Sequence, residues 1–459
     1  MKFKTFLSLV ILLLFNQLFA KEYDLVILGG LVVGDQKGSS VVANVGIVSD
    51  RISTITKNLI VGKKEINATG LIVSPGFIDI LADNSYLPQK SYQIFEKYKL
   101  TDGVTTSLQM HGGTDRARQA YDYFSQKPHL VNYGYSTKVM NIRNRVADKK
   151  ERLKLIQKNL DDGALGVSHS IEYQPTAFSE LVDYALVAQK NSVPLFLHLR
   201  YSSKGQELEG VREAILLAHL SRARVHIDHL NSTGGTFNMP KALGLIAQAR
   251  EQGAEIDVCV YPYDFWATYL HSKRFDGEWK KRYSLDYDDL AIVGTGEKLT
   301  KKTFDSLREV GGVLVAPTKA VMPLDSTFFP AIEEAFVCIA SDGGIEKEPI
   351  ANNHPRGAGN FATSISIMRQ KGYPIETIIA KITTLPASFV PNEQMKKRGK
   401  IEVGKIADIT IFDFEKVKSR ATIDNPNKIS EGIEFVIVGG KLALDRGKIL
   451  GHYGREIKR

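Results

Sequence analysis

Pro194-Leu195-Phe196-Leu197-His198 and Arg224-Val225-His226-Ile227-Asp228-His229 share one design, a short apolar run that ends in a histidine. Between them, Glu207 to Ala223 carries apolar residues at three- and four-residue spacing, which predicts an amphipathic helix. Apolar run, helix, apolar run is the pattern of a parallel strand-helix-strand unit. The design repeats in both directions, at Leu71 to Leu81, Thr105 to His111, Val131 to Met140, Ala164 to Tyr173, Glu255 to Tyr261 and Ala335 to Asp342. Further amphipathic stretches, Phe178 to Asn191 and Pro240 to Gly253, lie between these runs. Eight such units close a barrel, so the expected class is α/β, a (β/α)8 barrel of the TIM type.

Two regions stand outside that count. Residues 21–70, with Tyr23-Asp24-Leu25-Val26-Ile27 and Val45-Gly46-Ile47-Val48, read as short strands separated by glycine turns. Residues 399–459, with Asp408-Ile409-Thr410-Ile411-Phe412 and Phe435-Val436-Ile437-Val438, read the same way. Together they predict a small β-domain formed from both chain ends, flanking a barrel over 71–398. The interval 265–330, rich in aromatic and charged residues, follows the seventh run and is read as a lid or substrate-binding insertion over the barrel mouth.

Residues 1–20 have the pattern of a secretory leader. Lys2 and Lys4 precede the apolar run Phe6 to Phe15, and Leu18-Phe19-Ala20 offers a cleavage site. The expectation is a periplasmic or secreted protein beginning near Lys21, with no stable membrane insertion, because the apolar run is too short to span a bilayer. The net charge of +9 is spread along the chain without a basic stripe, which argues against a nucleic-acid partner. Hydrophobic residues make up 43% of the chain, enough for a substantial core. Cys259 and Cys338 lie inside apolar runs and read as small core residues, and the sequence leaves open whether they form a disulfide.

In such barrels eight loops converge at the C-terminal ends of the strands, so polar residues there are the first candidates for chemistry. His198, His229 and Asp342 hold that position. Imidazole suits a borderline divalent ion such as zinc, and a nearby carboxylate can bind the ion or take a proton from water.

These features resemble the amidohydrolase superfamily, and within it the N-acyl-D-amino-acid deacylase (D-aminoacylase) group, along nearly the whole chain after the leader. Tyr23-Asp24-Leu25-Val26-Ile27-Leu28-Gly29-Gly30 resembles the family's opening strand, and Val73-Ser74-Pro75-Gly76-Phe77-Ile78-Asp79 its entry to the barrel. Asp162-Gly163-Ala164-Leu165-Gly166-Val167-Ser168 with Glu172-Tyr173-Gln174-Pro175 resembles the fourth-strand signature. Tyr261-Pro262-Tyr263, Ser341-Asp342-Gly343, His354-Pro355-Arg356 and Gly404-Lys405-Ile406-Ala407-Asp408 follow in order. The resemblance implies that His198 and His229 bind metal and that Asp342 is the acid/base that activates water and protonates the leaving amine. It further implies a substrate-binding role for Arg356, His354, Tyr261, Tyr263 and Tyr173. Arg356 suits a substrate carboxylate on independent grounds, because a guanidinium fork matches carboxylate geometry.

Two family features are missing. Where the family carries His-x-His after the first strand, this chain reads Leu81-Ala82-Asp83; where it carries a cysteine ligand after the second, this chain has Gly112, with His111 just before it. Asp83, His111 and His169 could each compensate, and His111 is preferred. One ion held by His111, His198 and His229, with Asp342 beside it, satisfies the need for three protein ligands and an open position. The expected partner is a small molecule with an amide and a carboxylate, an N-acyl amino acid. The rival readings are a barrel that kept binding and lost hydrolysis, and a cyclic amidase.

Overall fold

The computed structural model describes residues 22–34, 36–82, 91–345 and 353–459. The leader and Asp83 lie outside the described residues. Eight strands form one parallel sheet in chain order: Phe77–Asp79, Val104–Thr114, Asn132–Lys138, Val167–Ser170, Leu195–His198, Val225–Ile227, Ile256–Val260 and Val337–Ile339. Helices expected from periodicity alone occupy Phe178–Lys190, Glu207–Ser221 and Met239–Glu251.

Strand alternation sorts the side chains into two cores. Leu195, Leu197, Val225, Ile227, Val337 and Ile339 face outward into the large cluster shared with the helices. Ile78, Leu108, Met110, Phe196, Cys259 and Cys338 fill the barrel interior. Cys259 and Cys338 are register partners on neighbouring strands and are both buried free thiols.

The run Leu71 to Leu81, expected as one strand, is two. Ile72–Pro75 pairs with Leu25–Val32 and Ile409–Phe412 in a nine-stranded mixed sheet drawn from both ends of the chain, and the barrel begins only at Phe77. A shared apolar run hides the break, because Gly76 between the two strands has no side chain to interrupt the pattern. The interval 265–330 folds in part into a three-stranded antiparallel sheet, Thr268–Tyr269, Leu290–Ile292 and Leu314–Pro317, above its own aromatic cluster.

At the seam between the first and eighth barrel strands, side chains make the junction. Asp79 accepts hydrogen bonds from Ser341 N (3.0 Å), Ser341 Oγ (2.5 Å), Leu81 N (3.2 Å) and Lys99 Nζ (2.9 Å). Lys99 donates as well to Ser341 Oγ at 2.9 Å, and its side chain and that of Asp79 are 1% and 0% exposed. Breaking a buried pair strands a charge in a medium that cannot solvate it. Lys99→Met is therefore expected to cost about 3–5 kcal/mol, read from the midpoint of denaturant unfolding at unchanged slope.

Candidate active site

Barrel geometry brings the strand-end residues together. His111, His198, His229, Asp342, Arg356, His354 and Tyr173 all line one cavity of about 500 Å³ at the C-terminal ends of the strands. The interval 265–330 lines the same cavity through Thr268, Tyr269, His271, Ser272 and Lys273.

How His229 reaches this cavity follows from a backbone irregularity. In the sixth strand Val225 and Ile227 point outward, so alternation turns His226 and Asp228 inward and would send His229 out. His229 instead has φ 27°, in the left-handed region that a residue bearing a Cβ avoids, and its ring returns to the cavity. Asp342 shows the same device, with φ 45° just beyond the eighth strand. Both residues hold a strained backbone where the chemistry would be, a cost carried by the surrounding fold.

The imidazoles of His111, His198 and His229 form a triangle, with ring centroids 5.9 Å (His111 to His198), 5.8 Å (His111 to His229) and 4.8 Å (His198 to His229) apart. Nδ1 of each ring meets an oxygen: Asp228 Oδ2 at 2.7 Å for His111, the Leu199 carbonyl at 3.0 Å for His198, and Ser232 Oγ at 3.0 Å for His229. A carbonyl only accepts, so His198 carries its proton on Nδ1 and keeps a lone pair on Nε2. Burial, reinforced by the neighbouring His111, pushes His198 down to about 3. Burial and then His198 hold His229 well below the usual histidine range. Both rings are neutral at pH 7, the state a metal ligand needs.

Carboxylates face the Nε2 side. Asp342 Oδ2 lies 3.6 Å from His229 Nε2, and Glu172 Oε2 lies 3.7 Å from His198 Nε2. Among the described residues no three His, Cys, Asp or Glu donors stand at coordination spacing. The centroid spacings nonetheless match the order of 5 Å expected when imidazoles share a tetrahedral ion at about 2.1 Å from each nitrogen. Neutral rings, oxygen partners on Nδ1 and carboxylates opposite Nε2 are the chemistry of a divalent-ion site, so the donor set fits such an ion.

Arg356 lines the cavity and is paired with Asp342. Its Nε donates to the Asp342 carbonyl at 2.7 Å and its terminal nitrogen to Asp342 Oδ2 at 2.6 Å, while the guanidinium stacks 4.4 Å from the Tyr261 ring centroid. Here it orients Asp342. His354 lines the cavity and is stacked on Phe265 at 4.7 Å. Tyr261 lies behind Arg356 rather than on the cavity wall, and Tyr263 is further removed, its hydroxyl 3.3 Å from Thr363 Oγ1 and its ring edge-on to His354. His169 is not part of the site: it bonds Thr176 at 2.7 Å and packs against Tyr184 in the outer wall.

Two residues at the site carry no role in the sequence reading. Glu172 stands beyond the fourth strand, at the same address as the candidate ligands, and accepts from Ser202 Oγ at 2.5 Å. Asp228 is one position before His229, and strict alternation along the sixth strand is the signal that turns it inward.

The family model described as "Amidohydrolase family" matches residues 338–443. The N-acyl-D-glutamate deacylase of Alcaligenes xylosoxydans xylosoxydans is 24% identical over 493 aligned residues, covering 96% of this chain and 97% of that protein. Among solved structures, the N-acyl-D-glutamate deacylase of Bordetella bronchiseptica, complexed with zinc and a phosphonate mimic of the tetrahedral intermediate, superposes with TM-score 0.80 at 21% identity, over 96% of this chain and 100% of that one. A structure of D-aminoacylase, from work on one-metal activation and second-metal attenuation of its binuclear centre, gives TM-score 0.79 at 20% identity, over 95% and 100%. In its ordered motifs, its sequence and its fold, this chain is similar to the amidohydrolase superfamily and, within it, to the D-aminoacylase group.

Proposed function

We propose that the protein is a metal-dependent hydrolase of a non-peptide carbon-nitrogen amide bond, acting on N-acyl-D-amino acids with a single divalent ion, zinc by preference. The observation that carries this reading is the meeting of three imidazoles and the Asp342 carboxylate in one cavity at the barrel mouth. His111, His198 and His229 would hold the ion. When bound, it supplies Lewis acidity to the amide carbonyl and acidity to a water. Leu81, buried and apolar, stands where the first histidine of the missing pair would be, which favours one ion over two.

Asp342 is placed to accept a proton from water and to return it to the departing nitrogen, the step without which an amine is too poor a leaving group. Arg356 fixes that carboxylate through two hydrogen bonds. Tyr173, against the His198 ring at 4.8 Å, and the lid residues Thr268, Ser272 and Lys273 enclose the substrate and limit water. Lys273, on the cavity wall, offers a cation to the substrate carboxylate, because Arg356 is paired with Asp342. A leader removed near Ala20 would place the enzyme in the periplasm or outside the cell.

Zinc-loaded protein lacking residues 1–20 is expected to release free amino acid from N-acyl-D-amino acids and not from the L-enantiomers, as followed by chiral chromatography. Turnover of ring amides alone, with N-acyl amino acids untouched, would replace this reading by a cyclic amidase.

A further inference from the structure

We propose that Asp228 is a positioning residue for the metal site, its carboxylate holding the His111 imidazole in the orientation and tautomer that offer Nε2 to the ion. The proposal rests on the reading that His111, His198 and His229 are the ligands.

Two equally buried aspartates in the same barrel show why. Asp79, at the seam, accepts hydrogen bonds from Ser341 N and Oγ, Leu81 N and Lys99 Nζ, the saturation expected of a structural carboxylate. Asp228 has a side chain 0% exposed, and the partner of its carboxylate is His111 Nδ1, at 2.7 Å. Its other oxygen, Oδ1, is buried without a hydrogen-bond partner among the described residues. Burying a carboxylate with half its acceptor capacity unused is costly, and nothing in the packing of the sixth strand requires an acid there. What the acid does is reach across the mouth from the sixth strand to the second and take the proton-bearing nitrogen of a ring that lines the cavity.

The three candidate ligands differ in this respect. His198 and His229 have neutral oxygens on Nδ1, the Leu199 carbonyl and the Ser232 hydroxyl, and His111 alone of the three has a carboxylate there. A carboxylate behind a histidine fixes its tautomer and strengthens it as a donor. The resemblance places an anionic cysteine ligand next to this position, at Gly112. The His111–Asp228 couple restores a negative charge to the donor set from the outer side, so imidazole backed by carboxylate takes over from thiolate.

The test compares zinc affinity, by chelator competition, in wild type, Asp228→Asn, Asp228→Ser, His111→Ala and the double variant His111→Ala/Asp228→Asn. Asp228→Asn is expected to weaken zinc roughly 10–100-fold while the metal-free protein keeps its melting temperature. Asp228→Ser guards against misfolding of the asparagine variant and should show the same loss. In the His111→Ala background, Asp228→Asn should have no further effect, because Asp228 acts only through that ring. Equal affinity in wild type and Asp228→Asn, or an undiminished loss in the His111→Ala background, overturns the proposal and leaves the three-histidine site standing. Wild type that binds zinc no better than His198→Ala overturns the site itself, and the proposal with it.

Discussion

Asp342→Asn is expected to lower kcat for amide hydrolysis by roughly 10²–10⁴-fold, the range spanned by loss of one general acid/base, with little change in KM. Asparagine preserves the shape of the side chain and can still accept from Arg356, so the Arg356 fork and the strained turn at φ 45° should survive. What it lacks is the ability to take a proton from water and hand it on. Steady-state kinetics beside metal analysis check this: zinc content should match wild type while turnover falls. A variant with normal turnover would remove Asp342 from the mechanism.

His198→Ala is expected to have the second large effect. Its ring lies 4.8 Å from that of His229 and faces Glu172, and its proton is already committed to the Leu199 carbonyl. Without it two imidazoles remain, fewer than the three protein ligands of a catalytic zinc site. Zinc affinity should fall by more than the roughly 10–100-fold typical of losing an outer hydrogen-bond partner, and turnover should vanish at limiting zinc. Restored turnover in excess zinc would mean that the residue supports the site without holding the ion.

Much of this arrangement was legible in sequence. Short apolar runs ending in or just before His198, His229 and Asp342 pointed to both the barrel and its mouth, because strand ends and site coincide in this architecture. His111 was legible as well, being the imidazole nearest the missing cysteine. The limits were set by backbone detail and by partners distant in sequence. A φ of 27° at His229 lets two consecutive residues, Asp228 and His229, both face the site, which no alternation pattern anticipates. The Arg356 fork on Asp342 depends on where the helix Arg356–Gln370 begins relative to the end of the eighth strand, and spacing in the chain does not encode that. Tyr263 was drawn in as part of its motif and His169 by its place in the fourth strand, whereas the Tyr263 hydroxyl lies near Thr363 and the His169 ring bonds Thr176. The boundary at Gly76 was invisible because both strands it separates are buried and apolar.

The mixed sheet built from both chain ends has a consequence for the order in which the molecule can assemble. Ile72–Pro75 is bracketed by Leu25–Val32 and by Ile409–Phe412, so one side of its ladder is available early in synthesis and the other only near termination. A ribosome emitting this chain delivers an open, apolar strand edge long before the segment that covers it, and such edges pair with whatever strand comes first. Folding in chain order therefore leaves that edge uncovered until Ile409–Phe412 docks on it, which makes this pairing the late, long-range step of assembly.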